Sequence, residues 1–299
     1  MKAIQKIDIH AHATAFPEYM PTCRWGGRFC SGEEVLKLYD ELHIEKGVLL
    51  PLTAPEAQIT PMTSENCKWV ADQFPDRFLW FCGVDPRALK NTSDTDIGAL
   101  LAHYKELGAK GVGELTAQLY ADDPKVDNLF MHSAKLDLPV LIHIAPHFDG
   151  CYGLVDALGL PRIEKMLKKH KNLKLIGHSQ PFWSEISADN TEKVRNSFPS
   201  GKVKEGRIAF LMRNYENLYC DISAGSGLNA LRRDMEYAAR FLEEFADKIL
   251  YGCDICGVGN KHPFEMDAFL NEMVEKGYLS EENYYKIVRG NAIRLLKLS

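Results

Sequence analysis

The chain has 299 residues, 45% of them hydrophobic and 26% charged, with a formal net charge of -5 and a pI near 6.1. That is the balance of an ordinary globular protein, long enough for one large α/β barrel or two smaller domains. The acidic balance, the lack of a long basic run and the lack of a bilayer-length apolar run speak against nucleic acid or membrane as a partner.

No cationic, apolar leader precedes the first strand-like run. Eight cysteines are scattered along the chain, so reduced thiols in a cytoplasm are the expectation. The first strand begins near Ile4 and ends in Ile7-Asp8-Ile9-His10-Ala11-His12. Alternation along a strand puts His10 and His12 on one face, with Asp8 below them. Two imidazoles so placed can clamp one metal ion; as a lone pair of histidines they can equally well hydrogen-bond.

A long segment follows, from Ala13 to Gly32, carrying Arg24, Trp25, Gly26, Gly27 and Arg28. It exceeds the usual strand-to-helix length and reads as a lid. Arg24, Trp25 and Arg28 are candidates to hold a substrate carboxylate, or form a solvated turn. Ser31-Gly32-Glu33-Glu34 then opens an amphipathic helix, Val35 to Leu42. Strand-like runs begin near Gly47 and Phe78, separated by a helix from Thr63 to Phe74.

A helix over Asp94 to Leu107 leads to a fourth strand near Ala109, ending Gly111-Val112-Gly113-Glu114-Leu115. Alternation there makes Val112 and Glu114 share the inward face. The helix from Pro124 to Leu136 has proline in its first turn, as does the one from Pro161 to His170. Between them a fifth strand ends at His143, and His147, four residues on, is placed to reach substrate. The sixth strand ends Leu175-Ile176-Gly177-His178.

A second long loop, Ser179 to about Gly206, also reads as a lid, and contains Trp183, a pocket wall or a core residue. A seventh strand begins near Asn217, where Arg213 and Asp221 are expected to pair. One long helix is expected from Leu228 to Phe245. The eighth strand ends Tyr251-Gly252-Cys253-Asp254, and helices over 263–277, 280–289 and 290–298 close the chain. Cys253 and Cys256 form a C-x-x-C, but strand alternation sends Cys253 away from Asp254. The spacing is taken as coincidental, with Cys256 at the pocket mouth.

Eight strand–helix units of about 35 residues match a single-domain (β/α)8 TIM barrel over residues 1–299. An open doubly wound sheet binding a nucleotide would need a glycine-rich first turn, and this turn is His-Ala-His. Barrel enzymes build their sites at the C-terminal ends of the strands. His10, His12, Glu114, His143, His178 and Asp254 all fall there. Each alone can serve as a carbonyl partner or a helix cap. Six on one rim point to a metal, with donor types that suit zinc, manganese or iron.

This pattern resembles the amidohydrolase superfamily over essentially the whole chain. The His-Ala-His start, the Gly-Val-Gly-Glu-Leu strand, the Gly-His of strand 6 and the Gly-Asn-Ala at 290–292 resemble its amidohydrolase-related branch. That branch mixes hydrolases with decarboxylases of the aminocarboxymuconate-semialdehyde type. The resemblance implies that His10, His12 and Asp254 hold a first metal and that His143 is a ligand. It makes His178 a second-metal ligand or a catalytic acid/base. Glu114 stands where many members carry a bridging carboxylated lysine; Lys110 lies at the start of the strand. One or two divalent ions are implied, zinc first, manganese or iron as alternatives.

The expected function is metal-dependent hydrolysis of a small amide, ester or lactone, with Asp254 as general base and His178 assisting. The alternative is decarboxylation of a small unsaturated or aromatic acid. A non-catalytic metal binder is the third reading. The expected partner is a small molecule, and a homo-oligomer stays open.

Overall fold

The computed structural model describes residues 4–23, 26–57 and 62–298. Eight parallel strands alternate with helices: β1 (Lys6–Ala11), β2 (Ile44–Leu49), β3 (Phe78–Trp80), β4 (Val112–Leu115), β5 (Val140–Ala145), β6 (Leu175–His178), β7 (Leu218–Asp221) and β8 (Ile249–Leu250). The ladders run β1-β2-β3 and β4-β5-β6-β7-β8. The pairing of Cys82 with Val112 joins the two sets. Closure comes where Ile9 N donates to Tyr251 O at 3.0 Å, Asp254 N to His10 O at 2.7 Å and His12 N to Ile255 O at 2.9 Å. The fold is a (β/α)8 barrel. A two-residue strand, Leu154–Val155, additionally pairs with the end of β5.

Two apolar layers hold it. Ile7, Ile9, Val48, Leu50, Phe81, Leu141, Ile176 and Leu250 fill the barrel interior, with Ala292, Leu295 and Leu296 of the last helix packed against them. A larger cluster, from Ala11 and Val35 round to Ile287 and Val288, fills the space between strands and helices. Parallel strands covered on both faces carry such apolar runs. Asn291, fully buried, donates from Nδ2 to the carbonyls of Ala246 (2.6 Å) and Ile249 (2.7 Å), pinning the last helix to the entry of β8.

Helix starts follow local capping chemistry. Ser31 and Glu34 form a complete capping box on helix Gly32–Glu41. Thr63 caps Ser64–Gln73, Asp96 caps Ile97–Glu106, and Pro124 and Pro161 each begin a helix. The expected long helix from Leu228 to Phe245 is instead two, Ala224–Arg232 and Met235–Glu244. Asp234 breaks it. Its backbone is extended, and its side chain accepts from Tyr237 N at 3.3 Å, Val203 N at 3.0 Å and Lys202 Nζ at 3.2 Å.

Candidate metal centre

β1 places its two histidines by departing from strict alternation. Its register against β2 shifts between Asp8 and Ala11. The interior face belongs to Ile7 and Ile9, not to Asp8. Asp8 accepts instead from Tyr39 Oη at 2.7 Å, from His10 N at 2.8 Å and from Cys253 N at 2.9 Å. Burial pushes its carboxyl up to about 7 against the pull of those three donors.

Beyond the shift, each histidine has its Nδ1 engaged. His12 Nδ1 donates to the Leu50 carbonyl at 2.9 Å, and His10 Nδ1 donates to Asp221 Oδ2 at 2.7 Å. Those bonds set the tautomers and leave both Nε2 lone pairs facing inward, 3.1 Å apart.

β4 also breaks alternation. Val112 and Leu115 both belong to the outer cluster, and the ladder is irregular between them. Gly113 makes the turn with φ at 135°, and a Cβ there would come within 2.6 Å of the Leu141 carbonyl oxygen. Glu114 is thereby aimed inward although Val112 is not. Its Oε2 lies 3.4 Å from His12 Nε2 and 3.6 Å from His10 Nε2. Its other oxygen, Oε1, sits 2.6 Å from His143 Nδ1.

Asp254 adopts a left-handed backbone, φ 54°, just past β8. Its Oδ1 is 3.4 Å from His12 Nε2 and 3.5 Å from His10 Nε2, and its Oδ2 is 3.9 Å from His178 Nε2. Asp221, at the end of β7, accepts from His10, from His178 Nδ1 at 3.1 Å and from Ser223 Oγ at 2.7 Å. Gly252 makes room for it: a Cβ would lie 2.3 Å from Asp221 Oδ1.

The two Nε2 atoms lie 3.1 Å apart, and each stands 3.4–3.6 Å from one oxygen of Glu114 and one of Asp254. Ligands bonded tetrahedrally at about 2.0–2.2 Å stand about 3.3–3.6 Å apart, so the spacing between each histidine and each carboxylate is that of two ligands on one divalent ion. A proton or a metal ion between the two Nε2 atoms relieves the repulsion of their lone pairs at 3.1 Å.

The titration shifts report the same field. Burial opposes protonation of His10 and His12. The carboxylates outweigh it, holding His10 well above the usual imidazole value and His12 at about 9. Burial favours neutral Glu114 and Asp254, and the histidines outweigh it, holding both carboxyls below the usual range. Among the described residues, His10–His12–Asp254 and His10–Glu114–His178 each offer three donor atoms within 4.8 Å of one another. His143 belongs to neither group; burial lowers its pKa, and it is engaged with Glu114.

The centre lies at one side of a cavity of about 560 Å3, whose walls include His12, Glu114, His143, Tyr152, Asp254, Cys256, Asn260 and His262. The loop after β2 contributes Leu52, Pro55, Glu56 and Ala57, and the first long loop contributes Cys23. None of the described residues of the second long loop lines it, so that loop is not a lid over this cavity.

Trp183 is buried beneath the site, donating from Nε1 to the Asp221 carbonyl at 2.9 Å and packing on Phe182 and Phe241. It is a core residue and does not line this cavity. His147 is exposed on the loop after β5, where its Nδ1 donates to the Phe148 carbonyl, and it too is absent from the cavity wall. Arg28 is committed to Glu34 through two bonds of 2.8–2.9 Å. Arg24 and Trp25 lie outside the described residues. Arg213 pairs with Glu205 and Glu244, not with Asp221. Cys253 turns away towards Tyr251 Oη, while Cys256 lines the cavity, as alternation indicates.

A family model described as Amidohydrolase matches residues 7–298. No curated protein matches the chain in sequence. Among solved structures, 5-carboxyvanillate decarboxylase from Sphingomonas paucimobilis is 17% identical, with a TM-score of 0.61 over 99% of this chain and 100% of that one. A probable 2-pyrone-4,6-dicarboxylic acid hydrolase from Acinetobacter baumannii is 13% identical, TM-score 0.59, over 98% and 100%. A dihydroxybenzoic acid decarboxylase from Polaromonas sp. JS666, solved with bound manganese, is 19% identical, TM-score 0.59, over 99% and 98%. At these identities the likeness carries the fold. Among the described residues, no helix is long and apolar enough to cross a membrane.

Proposed function

Since the chain belongs to the amidohydrolase family, we propose that it is a metal-dependent hydrolase of a small amide, ester or lactone. The proposed donor set for one ion is His10, His12, Glu114 and Asp254, with His178 beside it. Zinc is the ion proposed; manganese and iron suit the same nitrogen and oxygen donors. A divalent ion in this set supplies Lewis acidity towards a carbonyl and brings the acidity of water towards neutrality.

The observation that carries the reading is how Asp254 divides its two oxygens. Oδ1 faces the two Nε2 atoms at 3.4–3.5 Å, and Oδ2 faces His178 Nε2 at 3.9 Å. One carboxylate is therefore part of the donor set and in range of a second proton carrier. Asp254 takes the proton of the attacking water and returns it to the leaving atom. His178, whose Nδ1 faces Asp221, keeps Nε2 towards Asp254 Oδ2, and with a proton on Nε2 it donates to charge developing on the substrate oxygen. The cavity volume suits a small molecule.

Decarboxylation of a small unsaturated or aromatic acid is the second reading. It is favoured by the engagement of His143 with Glu114 at 2.6 Å, which takes His143 out of both three-donor groups. It also agrees with the activities of two of the similar structures above, both decarboxylases. Protein loaded with zinc or manganese should turn over members of a panel of lactones, esters, amides and aromatic acids. Acid release without carbon dioxide supports hydrolysis, and carbon dioxide release supports the second reading. Stoichiometric metal with no turnover of either class would overturn both.

A further inference from the structure

Glu56 is not one of the metal donors, yet it lines the same cavity. Arg87 Nη1 and Nη2 donate to its two oxygens at 2.5 and 2.9 Å. The same guanidinium donates to both oxygens of Asp85, from Nε at 2.8 Å and from Nη2 at 2.6 Å. One guanidinium held by two carboxylates leaves a negative charge over, and of the two acids it is Glu56 that lines the cavity. The bonds from Arg87 hold its carboxyl below the usual range, so it is ionised at neutral pH.

The planar fork also fixes the carboxylate in orientation. Backbone N–H groups of Glu56 itself and of Gln118 bear on the same carboxylate and fix it further. Among the described residues lining the cavity there is no lysine or arginine. A substrate group arriving at this wall therefore meets a rigid acceptor with net negative charge. A hydroxyl or an ammonium gains a charge-assisted hydrogen bond there, whereas a second carboxylate meets like charge.

Resting on the reading of the site as a metal-dependent enzyme for small molecules, we propose that Glu56 is a specificity-determining residue. It selects substrates with a hydrogen-bond donor, hydroxyl or ammonium, on the part that meets this wall, and rejects those with a carboxylate there.

The test uses zinc-loaded protein and four probes: benzohydroxamate and its 4-hydroxy, 4-aminomethyl and 4-carboxy derivatives. The hydroxamate would chelate the ion and extend the substituent into the cavity that Glu56 lines. Affinities are measured by calorimetry in wild type and Glu56→Gln. Glutamine keeps the side-chain length and one oxygen for Arg87, and unsubstituted benzohydroxamate is the reference within each protein. In wild type, at least one donor-bearing probe should bind about tenfold or more tighter than the 4-carboxy probe, the scale of a hydrogen bond to a charged group. In Glu56→Gln that ratio should largely collapse. An unchanged ratio in the variant, or tightest binding of the 4-carboxy probe in wild type, overturns the proposal. If zinc is not taken up, or no hydroxamate binds, the metal-centre reading has failed, and the proposal falls with it.

Discussion

Asp254 and Glu114 are both held well below the usual carboxylate range, yet they are expected to fail differently when neutralised. Asp254→Asn keeps an oxygen for the ion and loses the base. Metal content should be retained and turnover should drop by roughly 10²-fold or more; near-wild-type turnover would pass proton transfer to His178. Glu114→Gln loses the charge that His10, His12 and His143 share. Zinc affinity by equilibrium dialysis should fall by about tenfold or more; an unchanged affinity would remove Glu114 from the donor set. Asp221 touches no cavity but fixes the tautomers of His10 and His178. Asp221→Asn should weaken zinc by about 10–100-fold, the range for residues that orient ligands. His10, His12, Glu114, His178 and Asp254 were all legible in the sequence, because each is a donor-type residue ending an apolar strand run. Asp221 ends a strand in the same way and was assigned to Arg213 instead. Sequence neighbourhood favoured that pair, whereas its partners His10 and His178 lie 211 and 43 residues away.

At the scale of elements, local chemistry was readable and long-range chemistry was not. The start of helix Gly32–Glu41 was visible in Ser31 and Glu34, because both halves of a capping box lie within four residues. Ser31→Ala should cost about 1 kcal/mol in urea unfolding. The bond from Arg28 holds the Glu34 carboxyl down at about 2, against an ordinary value of 4.5. Its contribution is thus fully present above pH 4.5 and is lost as pH falls through 2. The stability gap between wild type and Glu34→Gln should therefore narrow on acidification across that window; a gap that widens would show that the carboxylate does not stabilise the native helix. The break at Asp234 was not readable. Amphipathic spacing runs straight through it, and the donors that hold it, Lys202 and Val203, come from a loop some thirty residues earlier. The inward turn of Glu114 came out right although the alternation used to infer it fails at Gly113.

For the whole molecule, the donor set spans the barrel, from β1 through β4 to the end of β8. An ion bound there ties the first strand to the last and should stabilise the native state as a ligand does. At a hundredfold excess over its dissociation constant, zinc should add about 2.7 kcal/mol. That corresponds to a rise in Tm of roughly 5 °C in a chain of this size. His10→Ala/His12→Ala protein should show no such rise, and an equal shift in both would place the ion elsewhere. The barrel as a whole was legible because eight apolar runs recur at a nearly even spacing. Its closure was not, since Cys82–Val112 and Ala11–Ile255 are isolated pairs that no local pattern marks.

The bond from Cys253 N to Asp8 joins residues 245 positions apart, and Asp254 N donates to the carbonyl of His10. On a ribosome, His10 and His12 emerge long before either partner has been made. During that interval the nascent chain carries two histidines with no carboxylate from β8 to complete their set. Contacts so distant in sequence form late. With the proposed donor set, loading of an ion would follow translation, gated by release of the last strand. A nascent chain arrested before Asp254 should hold zinc no better than an unfolded peptide with the same two histidines.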